Sequence, residues 1–263
     1  MAGHGASRSL AEALRADHVI PMAWSSLAAT AVVDLLAEAP FEAVTLDMQH
    51  GAHDEASVFA GLSAIRLRGK GACVRIPVGR YDMASRALDF GADLVIAPMI
   101  NSLQDARLFA AAMKYPPVGE RSWGPQRALR LHHVASPKDY LESANRTTLS
   151  LAMIETRAAL AILDDILDVD GIDGVFVGPS DFSISWTGGT GVDPYLPDMM
   201  DAVSLIAERC RAHNKVSGIF IFDPARARDM VALGYRFLAM MNDVAYLGAG
   251  AQSVLATAKL EDR

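Results

Sequence analysis

The chain has 263 residues, 51% of them hydrophobic and 21% charged, with a formal net charge of −7. That is too apolar for a disordered chain, and its 20 glycines and 12 prolines follow no repeating triplet, so collagen-like and low-complexity classes are excluded. The negative balance gives no global reason to bind nucleic acid. No stretch is long and apolar enough for a transmembrane helix, and residues 1–9 lack the apolar core of a signal peptide. These features lead us to expect a cytoplasmic protein without nucleic-acid or membrane partners. Two cysteines, Cys73 and Cys210, cannot build a disulfide framework and suit a reducing compartment.

From the N-terminus onward, short apolar runs alternate with longer amphipathic segments. Strands are expected at residues 20–24, 43–46, 72–76, 94–98, 151–154, 174–177, 217–221 and 237–241. Each run is apolar nearly throughout, as strands buried on both faces read. Helical periodicity occupies 28–39, 56–68, 81–90, 103–114, 158–167, 199–212 and 224–233, with 244–260 as a C-terminal helix. Gly69, Gly91 and Gly234 stand just past helix ends, and Ser136-Pro137 and Asp223-Pro224 read as N-caps followed by first-turn prolines. Two connections break the rhythm, 116–136 and 181–197, and long ordered connections are often functional. Eight strand-like runs without linker or internal repeat fit one α/β domain over residues 1–263, a (β/α)8 TIM barrel. Alternation alone does not exclude an open doubly wound sheet.

In such a barrel the chemistry lies where strands end. The second run ends in Asp47, followed by Met48-Gln49-His50-Gly51. The third carries Arg75, the fifth ends in Glu155-Thr156-Arg157, and the sixth in Gly178-Pro179-Ser180-Asp181. Glu155 and Asp181 end consecutive strands, so their carboxylates either share a hard divalent cation or pair separately with arginines such as Arg157. His50 is a candidate general base, with Asp89 or Asp47 to orient it. Arg75, inside an apolar strand, must meet an anionic ligand or a carboxylate such as Asp47. The Gly178–Asp181 turn offers the backbone N–H groups of Ser180 and Asp181 to a small anion.

Together these strings resemble the class II, metal-dependent pyruvate aldolases of the 4-hydroxy-2-oxoheptanedioate aldolase family, within the citrate lyase β and phosphoenolpyruvate/pyruvate barrels. The matching strings are Leu46-Asp47-Met48-Gln49-His50-Gly51, Val74-Arg75-Ile76-Pro77, Leu88-Asp89-Phe90-Gly91-Ala92, Ala97-Pro98-Met99, Tyr115-Pro116-Pro117-Val118-Gly119-Glu120-Arg121, Ile154-Glu155-Thr156-Arg157, and the run from Gly174 to Ser183. The resemblance implies Glu155 and Asp181 as ligands of Mg²⁺ or Mn²⁺, with Co²⁺ or Zn²⁺ as further options. It implies Arg75 at the keto-acid oxygen, His50 as base with Asp89 as its partner, Asp47 beside that dyad, and Gly178, Pro179 and Ser180 at the substrate carboxylate. It also implies a homo-oligomer, typically a hexamer, with active sites near subunit interfaces and the C-terminal helix packed on a neighbour. Gln49, Met153 and Ser180 depart from common family residues beside the pocket, which bears on substrate choice.

The expected reaction is reversible retro-aldol cleavage of a 4-hydroxy-2-oxo acid to pyruvate and an aldehyde. Only five of the 24 cationic residues are lysines (Lys70, Lys114, Lys138, Lys215 and Lys259), and none ends a strand run, which disfavours a Schiff-base aldolase. The rivals are an acyl-CoA lyase of the malyl-CoA or citryl-CoA type, for which no basic patch is visible, and a non-catalytic regulatory barrel. Trp24 and Trp123 are candidate pocket walls, and the aldehyde partner is left open.

Overall fold

Eight parallel strands follow one another around a closed barrel: β1 (Ile20–Ser25), β2 (Ala43–Asp47), β3 (Gly71–Arg75), β4 (Leu94–Ala97), β5 (Leu149–Ile154), β6 (Gly174–Val177), β7 (Val216–Ile221) and β8 (Phe237–Met240). Each strand pairs with its neighbours in sequence, and β8 closes on β1 through the register Ile20↔Phe237. The open-sheet alternative is thereby excluded. The computed structural model describes residues 8–258. Among them, no helix is long and apolar enough to cross a membrane. Cys73 and Cys210 are both buried free thiols.

Strand side chains alternate between two apolar environments, as a period of two requires. Val44, Leu46, Val74, Val95, Ile154, Val175 and Val177 face the surrounding helices and join one large core. Met22, Trp24, Cys73, Ile96, Leu151, Met153, Phe176, Phe237 and Ala239 fill the barrel interior. The short helix Leu10–Arg15 adds Ala11, Ala13 and Leu14 to that inner cluster and plugs one end of the barrel. With fewer than two turns, it offered no periodicity to read in the sequence. Ser9 caps it through a reciprocal capping box with Glu12.

Most expected helices are present, with three local differences. The segment expected as one helix over 158–167 forms two, Arg157–Ala161 and Leu163–Leu167, separated at Ile162. The connection expected to begin at Asp181 instead begins as a helix, Pro179–Trp186, so Asp181 lies in a helical first turn. The connection over 116–136 contains a further helix, Gln126–Leu131. Ser136 caps the helix Pro137–Thr147, its hydroxyl accepting from the Asp139 N–H at 3.1 Å. The C-terminal helix is Asp243–Ala258, and positions 259 and 260 of the expected helix lie outside the described residues. Asp243 is its one buried residue, and every residue from Leu247 to Ala258 is exposed.

The inner cluster is a close-packed wall, with Phe237 fully buried and its ring 6.3 Å from that of Phe176. Phe237→Ala is expected to cost about 3–5 kcal/mol. In a chain of this length that lowers the thermal midpoint by roughly 10 °C, measurable by scanning fluorimetry. An unchanged midpoint would show that the inner cluster is not close-packed.

Candidate active site

The alternation along the strands decides which polar side chains reach the mouth of the barrel. Trp24, Arg75, Met153 and Phe176 share the inward phase, and Asp47 and Glu155 continue it at the ends of β2 and β5. They line a cavity of about 250 Å³ together with Ser26, His50, Gly178, Pro179, Ser180, Asp181, Phe220, Phe222 and Asn242. All the site residues expected from the sequence converge here except Asp89 and the candidate wall Trp123.

Arg75 and Asp47 stand directly opposite each other in the β2–β3 register. Arg75 Nε donates to Asp47 Oδ1 at 2.9 Å and Nη2 to Oδ2 at 2.7 Å, a two-pronged pair with both side chains almost out of solvent. Asp47 Oδ2 also accepts from Trp24 Nε1 at 3.2 Å, and Oδ1 accepts from the Gln49 N–H at 3.0 Å. Burial pushes the Asp47 carboxyl up, but Arg75, Trp24 and the Gln49 N–H outweigh it and hold the group below its usual range. The guanidinium carbon lies 4.8 Å from the Trp24 ring centroid. Trp24 is therefore core and pocket wall at once.

Glu155 is only 1% exposed, yet one strong donor serves it: the Met99 N–H, 2.7 Å from Oε1. Met99 holds a left-handed φ of 54° that aims this N–H. Its other oxygen, Oε2, faces Gly178, where a Cβ would come within 2.4 Å of it. Burial pushes the Glu155 carboxyl up to about 7; the Met99 N–H opposes that, the neighbouring Asp181 charge adds to it, and Arg75 opposes it again. Glu155 does not pair with Arg157, whose guanidinium lies 5.5 Å from the Trp186 ring. A buried carboxylate with one free oxygen, beside a second carboxylate, suits a hard cation with oxygen ligands. Among the described residues no three His, Cys, Asp or Glu side chains are grouped for a metal.

Pro179 sits at N1 of its helix, which leaves the N–H groups of Ser180 and Asp181 in the first turn, before the ladder begins at Phe182 N–H to Gly178 O. The positive end of this helix opens on the cavity and suits a carboxylate.

His50 lines the cavity, but the expected pairing of its ring is absent within the chain. Asp47 Oδ1 meets the His50 backbone N–H at 3.3 Å, not its ring. Asp89, on the helix Tyr81–Phe90, is held by Arg121 Nη2 at 2.7 Å and does not line the cavity. Trp123 packs against Tyr115 and Tyr140 and is likewise outside it. None of the four described lysines lines the cavity; Lys114 is buried at the opposite end, bonded to Asp173 at 2.6 Å beside the start of β5, and Lys259 lies outside the described residues. Phe220, Phe222, Ser26 and Asn242 were not anticipated. Phe220 falls inside an apolar run, Phe222 follows it, and neither carries a polar signal. His53 was also passed over: it is buried behind the site, linking Ser25 Oγ (3.0 Å) and Ser57 Oγ (3.1 Å), and Ser25 Oγ donates to Asp243 at 3.1 Å.

Residues 21–248 match the HpcH/HpaI aldolase/citrate lyase family. The chain is 40% identical over 237 residues to a hydroxypyruvate/pyruvate aldolase of Rhizorhabdus wittichii, covering 90% of this chain and 92% of that protein. It is 34% identical over 235 residues to a 4-hydroxy-2-oxo-heptane-1,7-dioate aldolase of Klebsiella pneumoniae, covering 89% and 87%. The crystal structure of an HpcH/HpaI aldolase from Desulfitobacterium hafniense superposes with a TM-score of 0.87 at 26% identity, covering 97% of this chain and 98% of that one. Barrel, strand-end residues and relatives agree: the chain belongs to the HpcH/HpaI aldolase/citrate lyase family.

Proposed function

We propose that this carbon–carbon lyase cleaves 4-hydroxy-2-oxo acids reversibly to pyruvate and an aldehyde, with a divalent cation, Mg²⁺ or Mn²⁺, at Glu155 and Asp181. The observation that carries this reading is Glu155, buried with one oxygen unserved, facing the same cavity as Asp181, Arg75 and His50. A bound cation supplies Lewis-acid polarisation of the 2-oxo group. The Ser180 and Asp181 N–H groups receive the substrate carboxylate. Arg75, fixed by Asp47, presents positive charge where the 2-oxo oxygen gains electrons. His50 takes the proton from the 4-hydroxyl as the C3–C4 bond breaks, releasing the aldehyde; the electron pair passes to C3 and the 2-oxo oxygen, and protonation at C3 gives pyruvate. At about 250 Å³ the cavity lies below the usual ~300–1,000 Å³ of ligand sites, which favours small fragments over an acyl-CoA.

The oligomer expected from the sequence completes this reading. The exposed C-terminal helix carries Val244, Leu247, Val254 and Leu255 at 53–68% exposure, an apolar surface that a second copy would cover. Asp89 does not line the cavity of its own chain, so we place the proposed His50–Asp89 dyad between neighbouring chains.

Four outcomes follow. Chelation by EDTA abolishes activity and Mg²⁺ or Mn²⁺ restores it; Glu155→Gln lowers Mn²⁺ affinity, read by electron paramagnetic resonance, by more than ~100-fold. Borohydride with pyruvate leaves no adduct on the chain, and a stable adduct would replace this mechanism with a Schiff base. Mixing His50→Ala with Asp89→Asn, each nearly inactive alone, restores about a quarter of wild-type activity after subunit exchange, whereas no recovery sinks the shared dyad. Leu247→Asp with Val254→Asp lowers the solution mass by light scattering, and an unchanged mass refutes the helix as an interface.

A further inference from the structure

We propose that the aldehyde partner is uncharged and carries an aromatic or bulky apolar body, so that the substrates are 4-hydroxy-2-oxo acids with such a group on C4. This rests on the aldolase reading above and names the acceptor half of the same site.

The cavity is divided. Its charged side is formed by Arg75, Glu155, Asp181 and the first turn of Pro179–Trp186. Its other side is apolar, and its aromatic rings lead outward. Trp24, beneath Arg75, meets Phe220 edge to face at 5.4 Å between centroids. Phe220 meets Phe222 at 4.6 Å, and Phe222 is 43% exposed at the end of β7. The series therefore runs from the guanidinium to solvent, beside the turn that receives the keto-acid. Its outer end is held firmly: Tyr195 Oη accepts from the N–H groups of Phe222 (3.1 Å) and Asp223 (2.8 Å). A rigid aromatic wall favours a flat apolar guest.

Charge points the same way. A second carboxylate, as a heptane-1,7-dioate would carry, needs a cation at the far end of the cavity. Among the described lining residues Arg75 is the one arginine, no lysine is present, and Arg75 is already committed to Asp47 at the keto-acid end. Arg226 stands nearby outside the lining, but Asp229 (3.1 Å) and the Tyr195 ring (4.8 Å) occupy it. Asp223 directly follows Phe222 at the outer end, so the charge there opposes an anionic tail.

The test uses pairs that differ by a carboxylate: benzaldehyde against 4-formylbenzoate, and butanal against 4-oxobutanoate, each with pyruvate and Mg²⁺. First, exchange of the pyruvate C3 protons in D₂O, followed by NMR without any aldehyde, reports the enolising half of the site. Loss of exchange would refute the aldolase reading itself. With exchange intact, kcat/KM for benzaldehyde should exceed that for 4-formylbenzoate by at least ~10-fold, and butanal should outrun 4-oxobutanoate. Phe222→Arg should narrow the benzaldehyde preference by at least ~10-fold while pyruvate exchange persists. Phe222→Ala should lower use of benzaldehyde without helping either carboxylate. Equal or better use of the anionic aldehydes by the unaltered protein would overturn the proposal, as would a Phe222→Arg variant that exchanges pyruvate normally and keeps the original preference.

Discussion

The two hydrogen bonds between Arg75 and Asp47 tie β2 to β3 at the floor of the cavity. A guanidinium buried against Trp24 would be costly alone, and one carboxylate opposite it in the strand register answers most of that cost. The same carboxylate receives the Trp24 indole and the Gln49 and His50 backbone N–H groups. So Asp47 both neutralises the cation and shapes the loop that carries His50. In the proposed reaction its effect runs through its neighbours: it would keep a positive charge rigid at the place where a negative one must form.

Across the cavity the balance is reversed. Glu155 and Asp181 bring two carboxylates together with little to compensate them, and burial raises the Glu155 carboxyl to about 7. A cation shared between them would relieve that tension, which is why the incompleteness of the pair is informative. One wall is thus a satisfied ion pair and the other an unsatisfied one. In the reaction we propose, the keto-acid spans between them, beside the aromatic series from Trp24 to Phe222.

Much of this was legible in the sequence because strands buried on both faces leave a distinct apolar signature and because charges at their ends are conspicuous against it. Asp47, Arg75, Glu155 and Asp181 could be found in that way, and all line one cavity. Phe220 and Phe222 could not, since an aromatic residue in or beside an apolar run looks the same whether it faces the helices or the cavity. The resemblance pairs His50 with Asp89, but within one chain Asp89 is bonded to Arg121 and lies outside the cavity, a placement that no local sequence signal marks. The Asp181 segment reads as a loop in the sequence because the glycines at 188, 189 and 191 mask the helical turns before them. His53, set among polar neighbours in a loop, gave no hint that Ser25 and Ser57 would enclose it.

The two-residue phase of the strands carries one more implication. Inside β5, Met153 points inward, Ile154 outward, and Glu155 inward again at the strand's end. Losing a single residue between Leu149 and Met153 would turn Glu155 towards the helices and bring an isoleucine to the cavity wall. Insertions and deletions are therefore barred from the strands but tolerable in connections such as 187–197. Lineages of this barrel can vary freely in length only where the chain has already left the sheet.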